Sequence, residues 1–350
     1  LEFKSLGYAL LSFGYILLTS GGAVIGALYF NHPAEGVILG QAMGAGLIDI
    51  IGIIVLWKRF KVGFHFRTFK SMVRFSLPLV PASFLLLGGQ QLPKLILSVY
   101  GNLEDVGIYG LAVQIAGFAG LAVLGVQTAI TPAVLVNHHK DETPGMLGKL
   151  FENFTTVSLM FCTFLSVFAK ELILVFSTPA YARAANYVPL IAFSIALNSM
   201  YIFFPGKIIR GKSIAQLLAS SGGFLAAVIS GLILIKIDGI RGAAISTLFS
   251  AISFFFIWYK ISQQLYYLPV NWFKISKSIL LSIVVCCIGF FLISSGINFF
   301  SIALKCLILM LFTFLIARGN ITKLWDRYGK GYKFLNSLNA GKSRSSYDKK

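Results

Sequence analysis

A lysine and two glutamines interrupt an otherwise apolar stretch of the chain, at Lys94, Gln90 and Gln91. Lys94 lies about 9 Å from the outer end of its predicted helix, because a helix rises about 1.5 Å per residue. The two glutamines lie one turn further in, and Pro93 can bend the helix between them and Lys94. A cation beside two amides is suited to an anionic, sugar-linked headgroup such as a pyrophosphate. The alternative is a lysine that extends its ammonium group towards the membrane surface.

One carboxylate, Asp49, lies in the middle of another apolar stretch, about 12 Å from Trp57 at the helical rise. A carboxylate at membrane depth needs a cation, an ion or a proton. We therefore predict that Asp49 couples transport to an ion or a proton. The alternative is that Asp49 pairs with a polar group of a neighbouring helix.

Four further charged positions lie at or near predicted helix ends. Arg183 and Arg241 are predicted to guide an anionic headgroup, with simple contact to the membrane interface as the alternative. Lys170 and Glu171 are adjacent in the sequence, so they point to different partners on a helix. Lys305 lies in the last apolar stretch and is predicted to be peripheral.

The sequence offers little that could catalyse a reaction. His138 and His139 have no zinc-ligand or nucleophile spacing around them, and the four cysteines lie inside apolar stretches without a histidine partner. The glycine-rich loop that holds ATP phosphates in P-loop proteins is also missing. We predict no enzymatic activity, no cofactor and no metal ion.

Composition determines what kind of element positions these residues. Hydrophobic residues make up 57% of the 350 residues and charged residues only 12%, about half the charged fraction of a soluble domain. So few charges cannot cover a water-exposed surface, and apolar runs of about 20 residues form membrane helices. The net charge of +18 comes from basic loops, which argues against nucleic acid as a partner. The predicted fold is an all-α, polytopic membrane helix bundle.

Ten apolar stretches predict ten membrane spans. They lie near residues 5–30, 36–57, 75–100, 105–131, 150–177, 184–206, 214–235, 239–260, 277–296 and 299–317. Lys4, the alternate loops and the tail together carry 24 of the 30 lysines and arginines, which places these loops and both termini in the cytoplasm. Trp57 and Trp258, at the inner ends of the second and eighth spans, are predicted to anchor at the lipid headgroups.

An internal repeat predicts two helix bundles. The second span starts at Gly36-Val-Ile-Leu-Gly40 and ends at Trp57-Lys58-Arg59, and the eighth starts at Gly239-Ile-Arg-Gly-Ala-Ala and ends at Trp258-Tyr259-Lys260. The offset of about 203 residues spans six helices, a period that is typical of two-bundle transporters. Four helices of the first bundle would then precede the chain, and residues 1–57 would have an open flank.

The repeat gives five predicted segments. They are two N-terminal-bundle helices (1–57), a basic amphipathic cytoplasmic linker (58–74), a six-helix C-terminal bundle (75–260), two additional helices (261–317) and a basic cytoplasmic tail (318–350). Phenylalanines among the linker's charges suit a helix on the anionic inner leaflet. The alternative is a plain basic loop.

Two segments resemble the polysaccharide exporters of the MOP superfamily, the Wzx-type flippases. They are Phe75-Ser-Leu-Pro-Leu-Val-Pro-Ala-Ser83 and Leu97-Ser-Val-Tyr-Gly-Asn-Leu-Glu-Asp-Val-Gly-Ile-Tyr-Gly-Leu-Ala112, and the similarity continues through Gln127 and Pro132. Many relatives carry an Asp-Arg pair where this chain has Pro93-Lys94. The cation is kept and the acid is lost, so a mechanism in which that acid carries a coupling ion does not transfer to this chain.

The resemblance implies export of undecaprenyl-pyrophosphate-linked oligosaccharide across the cell inner membrane, as in O-antigen and lipopolysaccharide synthesis. Its implied partners are that glycolipid, membrane lipids, a polysaccharide polymerase and glycosyltransferases. Other interpretations stay open: a multidrug cation antiporter of the same superfamily, a membrane glycosyltransferase or polymerase, or a scaffold that does not transport. The outer loops are short, which argues against the membrane enzymes.

Overall fold

The computed structural model describes residues 5–30, 32–56, 65–137, 142–206, 214–294 and 299–317, and every regular element in these ranges is helical. The α-helices α1 to α6 are Ser5–Tyr29, Pro33–Leu56, Phe66–Ser76, Leu79–Tyr100, Leu103–Asn137 and Glu142–Val167. The α-helices α7 to α11 are Ala169–Phe176, Val188–Ser199, Ile214–Leu265, Trp272–Ser294 and Phe299–Ala317. Two 3₁₀ helices, Pro179–Asn186 and Met200–Phe203, flank α8.

The predicted all-α membrane fold is confirmed, and the described residues of the ten predicted spans are mostly helical. Within the described ranges, five helices are long and apolar enough to cross a membrane. A sixth span arises if the helix pair Pro179–Asn186 and Val188–Phe203, bent by 56°, counts as one. The 52-residue α9 contains two of the predicted spans.

The chain divides into two compact units, Leu1–Lys70 and Ser71–Lys350. The first unit contains α1 and α2, which lie antiparallel with glycines along their contact. A Cβ atom on Gly40 would overlap the carbonyl oxygen of Gly22, and one on Gly36 would overlap that of Gly26. Helices approach this closely in membranes only where the side chains between them are very small. We call this contact the glycine seam.

The glycine seam yields a prediction about stability. Gly40→Ala should lower the free energy of unfolding by about 1–3 kcal/mol, because the added methyl group forces the two backbones apart. Gly46→Ala is the matched control, since a Cβ atom there meets nothing within 4 Å. Unfolding of the purified protein in SDS titrations measures both. Equal effects of the two substitutions would show that the seam does not hold the hairpin together.

In the second unit, α9 is a hairpin of two arms, 214–237 and 240–265, which meet at Asp238 and Gly239. Gly239 has a φ of 50°, a conformation that glycine adopts without strain. Serines of the second arm donate hydrogen bonds to backbone carbonyls of the first: Ser246 to Ala227 at 3.2 Å and Ser250 to Gly223 at 2.9 Å. The contacts run in opposite directions along the arms, so the arms are antiparallel.

Helix α4 packs along the α9 hairpin. Gly89 of α4 lies against Phe224 and Ser250, and the Ile96 side chain lies against Gly231. This contact buries one face of α4 and leaves the other face exposed. The exposed face is the one that carries Gln90, Gln91 and Lys94.

Trp258 does not anchor at the membrane surface as predicted. Its side chain is 3% exposed, and its indole nitrogen donates a hydrogen bond to the Phe204 carbonyl at 3.2 Å. Tyr201 and Phe254 pack against the ring. The indole N–H therefore has its hydrogen-bond partner inside an aromatic cluster and does not require a lipid headgroup.

Part of the predicted amphipathic linker is helical. Helix α3 has Arg67, Lys70 and Arg74 along one side. Phe66, Phe69 and Met72 are exposed in the same helix. Residues 57–64 lie outside the described ranges, so the extent of the linker and its position on the membrane stay predictions.

Candidate functional site

Helices α4 and α5 form a short-turn hairpin that presents the predicted binding residues. Asn102 caps α5, because its side-chain oxygen accepts a hydrogen bond from the Asp105 backbone N–H at 2.7 Å. Only Gly101 and Asn102 separate the two helices, so the helices run antiparallel. Close to this turn, residues of the two helices therefore lie side by side.

Gln90, Gln91 and Lys94 are all exposed on one side of α4, as their spacing predicts, whereas Pro93 is buried on the other side. The Lys94 ammonium group lies beside Gly110 of α5, where a Cβ atom would sit 3.6 Å from Nζ. Among the described residues, Lys94 has neither an ion-pair partner nor a hydrogen-bond partner. Its positive charge is therefore available to a ligand.

Helix α5 carries a further exposed amide, Gln114. Gln114 lies one turn after Gly110 on α5, and Gln90 lies one turn before Lys94 on α4. Gln114 is exposed, like Gln90. The sequence shows Gln114 only as one polar residue in an apolar helix, and its relation to Lys94 depends on the register between two helices.

Tyr181 lies at the other end of the same surface. The Tyr181 ring is close to Gly107, where a Cβ atom would sit 3.4 Å from Cε1. Gly107 lies one turn from Gly110 along α5, so both glycines keep this side of α5 free of side chains. We call Gln90, Gln91, Lys94, Gln114 and Tyr181 the hairpin surface. It combines one cation, three amides and one phenol.

Among the described residues, no ion pair or hydrogen bond joins Arg183 or Arg241 to the hairpin surface. Arg183 is exposed on the 3₁₀ helix Pro179–Asn186. Arg241 lies at the α9 turn, where its guanidinium group is 3.8 Å from the Asp238 carboxylate. Both side chains of that pair are more than half exposed, so the pair contributes little energy and leaves Arg241 accessible. The headgroup roles of both arginines stay predictions.

Asp49 lies on α2 in the first unit and its side chain is exposed. In the part of the chain that the structure describes, no cation pairs with it. The ion-coupling role of Asp49 therefore stays a prediction.

Lys305 is buried, contrary to the prediction that it is peripheral. Its side chain is 1% exposed and forms an ion pair with Glu171 of α7. Helix α11 is held there by Leu309 and Phe312, which pack with Val167 in a small apolar core. Lysine and glutamate 134 positions apart give no local signal, so the sequence could not show this pair.

The ion pair yields a prediction about stability. Lys305→Ala should lower the free energy of unfolding by about 3–5 kcal/mol, because it leaves the Glu171 carboxylate buried without its partner. The exposed Lys277→Ala is the matched control. A double variant, Lys305→Met with Glu171→Gln, should recover most of the loss, since it leaves no buried charge. SDS titrations of the four proteins check this, and Lys305→Ala behaving like Lys277→Ala would contradict it.

A second ion pair lies between α6 and α10. Lys274 Nζ is 3.6 Å from a Glu152 carboxylate oxygen and donates a hydrogen bond to the Asn153 side chain at 3.1 Å. Glu152 also accepts a hydrogen bond from the Asn271 backbone N–H at 2.9 Å. Both helices predicted as additional are thus tied by ion pairs to the α6–α7 segment.

In the described ranges, no group of three or more histidine, cysteine, aspartate or glutamate side chains could hold a metal ion. His138 and His139 lie outside those ranges. The four cysteines are free thiols.

Residues 2–138 match the family described as polysaccharide biosynthesis protein. The match confirms the predicted relationship to MOP-superfamily polysaccharide exporters over this part of the chain. It includes four of the five residues of the hairpin surface and also Asp49. No curated protein and no solved structure matches the chain.

Proposed function

Since residues 2–138 belong to the polysaccharide biosynthesis protein family, we propose that this multi-pass membrane protein is a flippase for undecaprenyl-pyrophosphate-linked oligosaccharide. The observation that carries the proposal is the hairpin surface, where an unpaired lysine and three amides are exposed on apolar helices. Ionisable groups at membrane depth are costly and persist where they bind a substrate.

Each group of the hairpin surface matches a part of such a glycolipid. The Lys94 ammonium group pairs with a phosphate, an interaction that gains strength where water is scarce. The amides of Gln90, Gln91 and Gln114 both donate and accept hydrogen bonds, as sugar hydroxyls require. The Tyr181 ring offers an apolar face with a polar tip, and a sugar ring can pack on that face.

The proposed transport cycle is alternating access between two helix bundles around a site near the middle of the membrane. The polyprenyl tail stays in lipid during the crossing, because moving it out of hydrocarbon would only cost energy. Binding by itself gives no direction, so an ion gradient through Asp49 or removal of the product must bias the cycle. The bundles are those predicted from the repeat, with residues 1–57 in the first and 75–260 in the second.

The proposed location is the cell inner membrane. The glycan would pass to a polysaccharide polymerase, as in O-antigen and lipopolysaccharide synthesis, after cytoplasmic glycosyltransferases have built it. Arg183 and Arg241 are proposed to attract the anionic headgroup at the outer side, since both are exposed.

The proposal predicts that Lys94→Ala lowers glycan export about tenfold or more, because it removes a charge-assisted bond to phosphate. Lys94→Arg should keep part of the export, since it preserves the charge. Surface glycan of cells that produce each variant as their sole copy measures export. Protein levels in membranes are measured in parallel.

The matched control is Lys236→Ala, which removes an exposed lysine of the second unit that is not part of the hairpin surface. It should export like the unchanged protein. Full export by Lys94→Ala would show that Lys94 only extends to the membrane surface.

The charge distribution predicts the orientation. In a variant without native cysteines, a cysteine at Asn102 should react with an impermeant maleimide added outside, and one at Lys149 should not. Both positions are exposed in the structure, so a difference reports the side of the membrane. The opposite labelling pattern would reverse the proposed topology.

A further inference from the structure

The two C-terminal helices, α10 and α11, have no part in the proposed transport cycle, yet a buried ion pair ties them to the segment that carries Tyr181. Lys305 of α11 is 1% exposed and pairs with Glu171 in the first turn of α7. The second unit contains both residues, and it also contains α4, α5 and Tyr181. The whole hairpin surface and the ion pair therefore belong to one compact unit.

Helix α7 leads directly into the 3₁₀ helix that carries Tyr181. Only Ser177 and Thr178 separate the two helices. The Ser177 backbone N–H donates to the Ile173 carbonyl at 2.7 Å, and the Tyr181 backbone N–H donates to the Thr178 carbonyl at 3.1 Å. Backbone hydrogen bonds thus close both ends of the link, and a link this short transmits a displacement of α7 to the 3₁₀ helix.

The two helices also share one apolar core. Ala169 and Ile173 of α7 are fully buried there, together with Ala184 and Ala185 of the 3₁₀ helix. Residues of α5 belong to the same core. We call residues 169–186 the bent segment, because it packs against α5 as a single element.

The position of Tyr181 depends on the backbone of the bent segment. Its side chain is 37% exposed, so burial does not hold the ring in place. The ring lies beside Gly107, which has no side chain to enclose it. A shift of the bent segment therefore moves the ring along α5 relative to Gly110 and Lys94.

The ion pair determines where the start of the bent segment lies. One carboxylate oxygen of Glu171 accepts a hydrogen bond from Lys305, and the other is buried without a hydrogen-bond partner in the described ranges. A buried carboxylate is costly to separate from the cation that neutralises it. Leu309 and Phe312 in turn fix α11, since they pack with Val167.

We infer that Lys305 and Glu171 are positioning residues of the hairpin surface. Their ion pair sets the place of Tyr181, and through it α10 and α11 control how the surface holds its ligand. The inference rests on the proposed function for what the surface binds, whereas the position of the bent segment is measurable without a ligand. It gives the two helices predicted as an addition a role in the site.

Dipolar EPR spectroscopy of the full chain in lipid nanodiscs tests the inference. Spin labels replace Asn186 and Glu104, which are both exposed, in a variant without native cysteines. Their separation reports the position of the bent segment against α5. Lys305→Met with Glu171→Gln should shift or broaden the distance distribution by about 2 Å, because no bond then holds α7 to α11. Lys305→Glu with Glu171→Lys should restore most of the original distribution, since it rebuilds the pair.

The matched control is Lys274→Met with Glu152→Gln. It removes the second ion pair of the two C-terminal helices, which ties α10 to α6 rather than to α7. The distance distribution should stay unchanged. Thermal unfolding identifies any variant that is not folded. If Lys305→Met with Glu171→Gln does not fold, Glu171→Asp replaces it, because it keeps the charges and shortens the carboxylate side chain by one methylene group.

Glycan export provides a second measurement, which separates positioning from a general loss of stability. Tyr181→Ala should lower export about fivefold, because it removes an aromatic contact. Lys305→Met with Glu171→Gln should lower export by a similar factor. Adding Tyr181→Ala to that variant should lower export no further, since the ion pair acts through Tyr181. The Lys274→Met, Glu152→Gln control should export like the unchanged protein.

Three results would overturn the inference: a distance distribution that does not change when the Lys305–Glu171 pair is removed, an equal change in the control, or losses of export that multiply. Failure of the proposed function gives a different result. A changed distance distribution together with normal export by Lys94→Ala would leave the positioning role intact and refute the headgroup role of the hairpin surface.

Discussion

Lipid hydrocarbon cannot form hydrogen bonds, and the rest of this structure depends on that constraint. Every backbone group inside the membrane must find a partner in its own helix, so the fold consists of helices. Side chains follow the same rule. Ser246 bonds the Ala227 carbonyl across the α9 hairpin, the Tyr109 hydroxyl bonds Thr247 at 2.7 Å, and Lys305 pairs with Glu171. These paired groups hold neighbouring helices together.

A few polar groups lack such partners in the described ranges. Lys94 has no ionic partner in the described ranges, and Gln41 and Gln114 are exposed on helices whose length is mostly apolar. An unpaired polar group costs several kcal/mol in hydrocarbon. The contrast with Lys305 is informative, because both lysines lie in apolar helices and, in the described ranges, only Lys305 has an ionic partner. An ion-pair partner within the protein, rather than position inside an apolar stretch, distinguishes a structural lysine from one that is available to a ligand.

Local patterns in the sequence predicted the helices, because hydropathy and loop charge are properties of neighbouring residues. The exposed face of Gln90, Gln91 and Lys94 was predictable for the same reason, since it follows from spacing along one helix. Positions that depend on register between helices were not predictable. The positions of Gln114 and Lys305 matter only in relation to residues on other helices. The buried Trp258 indole N–H donates to the Phe204 carbonyl, which lies in another segment of the chain. Hydropathy contains no information on such pairs.

The proposed glycolipid headgroup has two chemically different parts, a charged pyrophosphate and neutral sugars. The hairpin surface has one cation and three amides, which suit these two parts. A charged contact strengthens where water is excluded, so under the proposed function Lys94 would supply affinity for any lipid-linked pyrophosphate but little discrimination among glycans. Neutral hydrogen-bond donors and acceptors reject a ligand that lacks the matching hydroxyl, because a polar group is then left unpaired. Under the proposed function, selectivity for the glycan is therefore expected from the amides of the hairpin surface, and affinity for the carrier from Lys94.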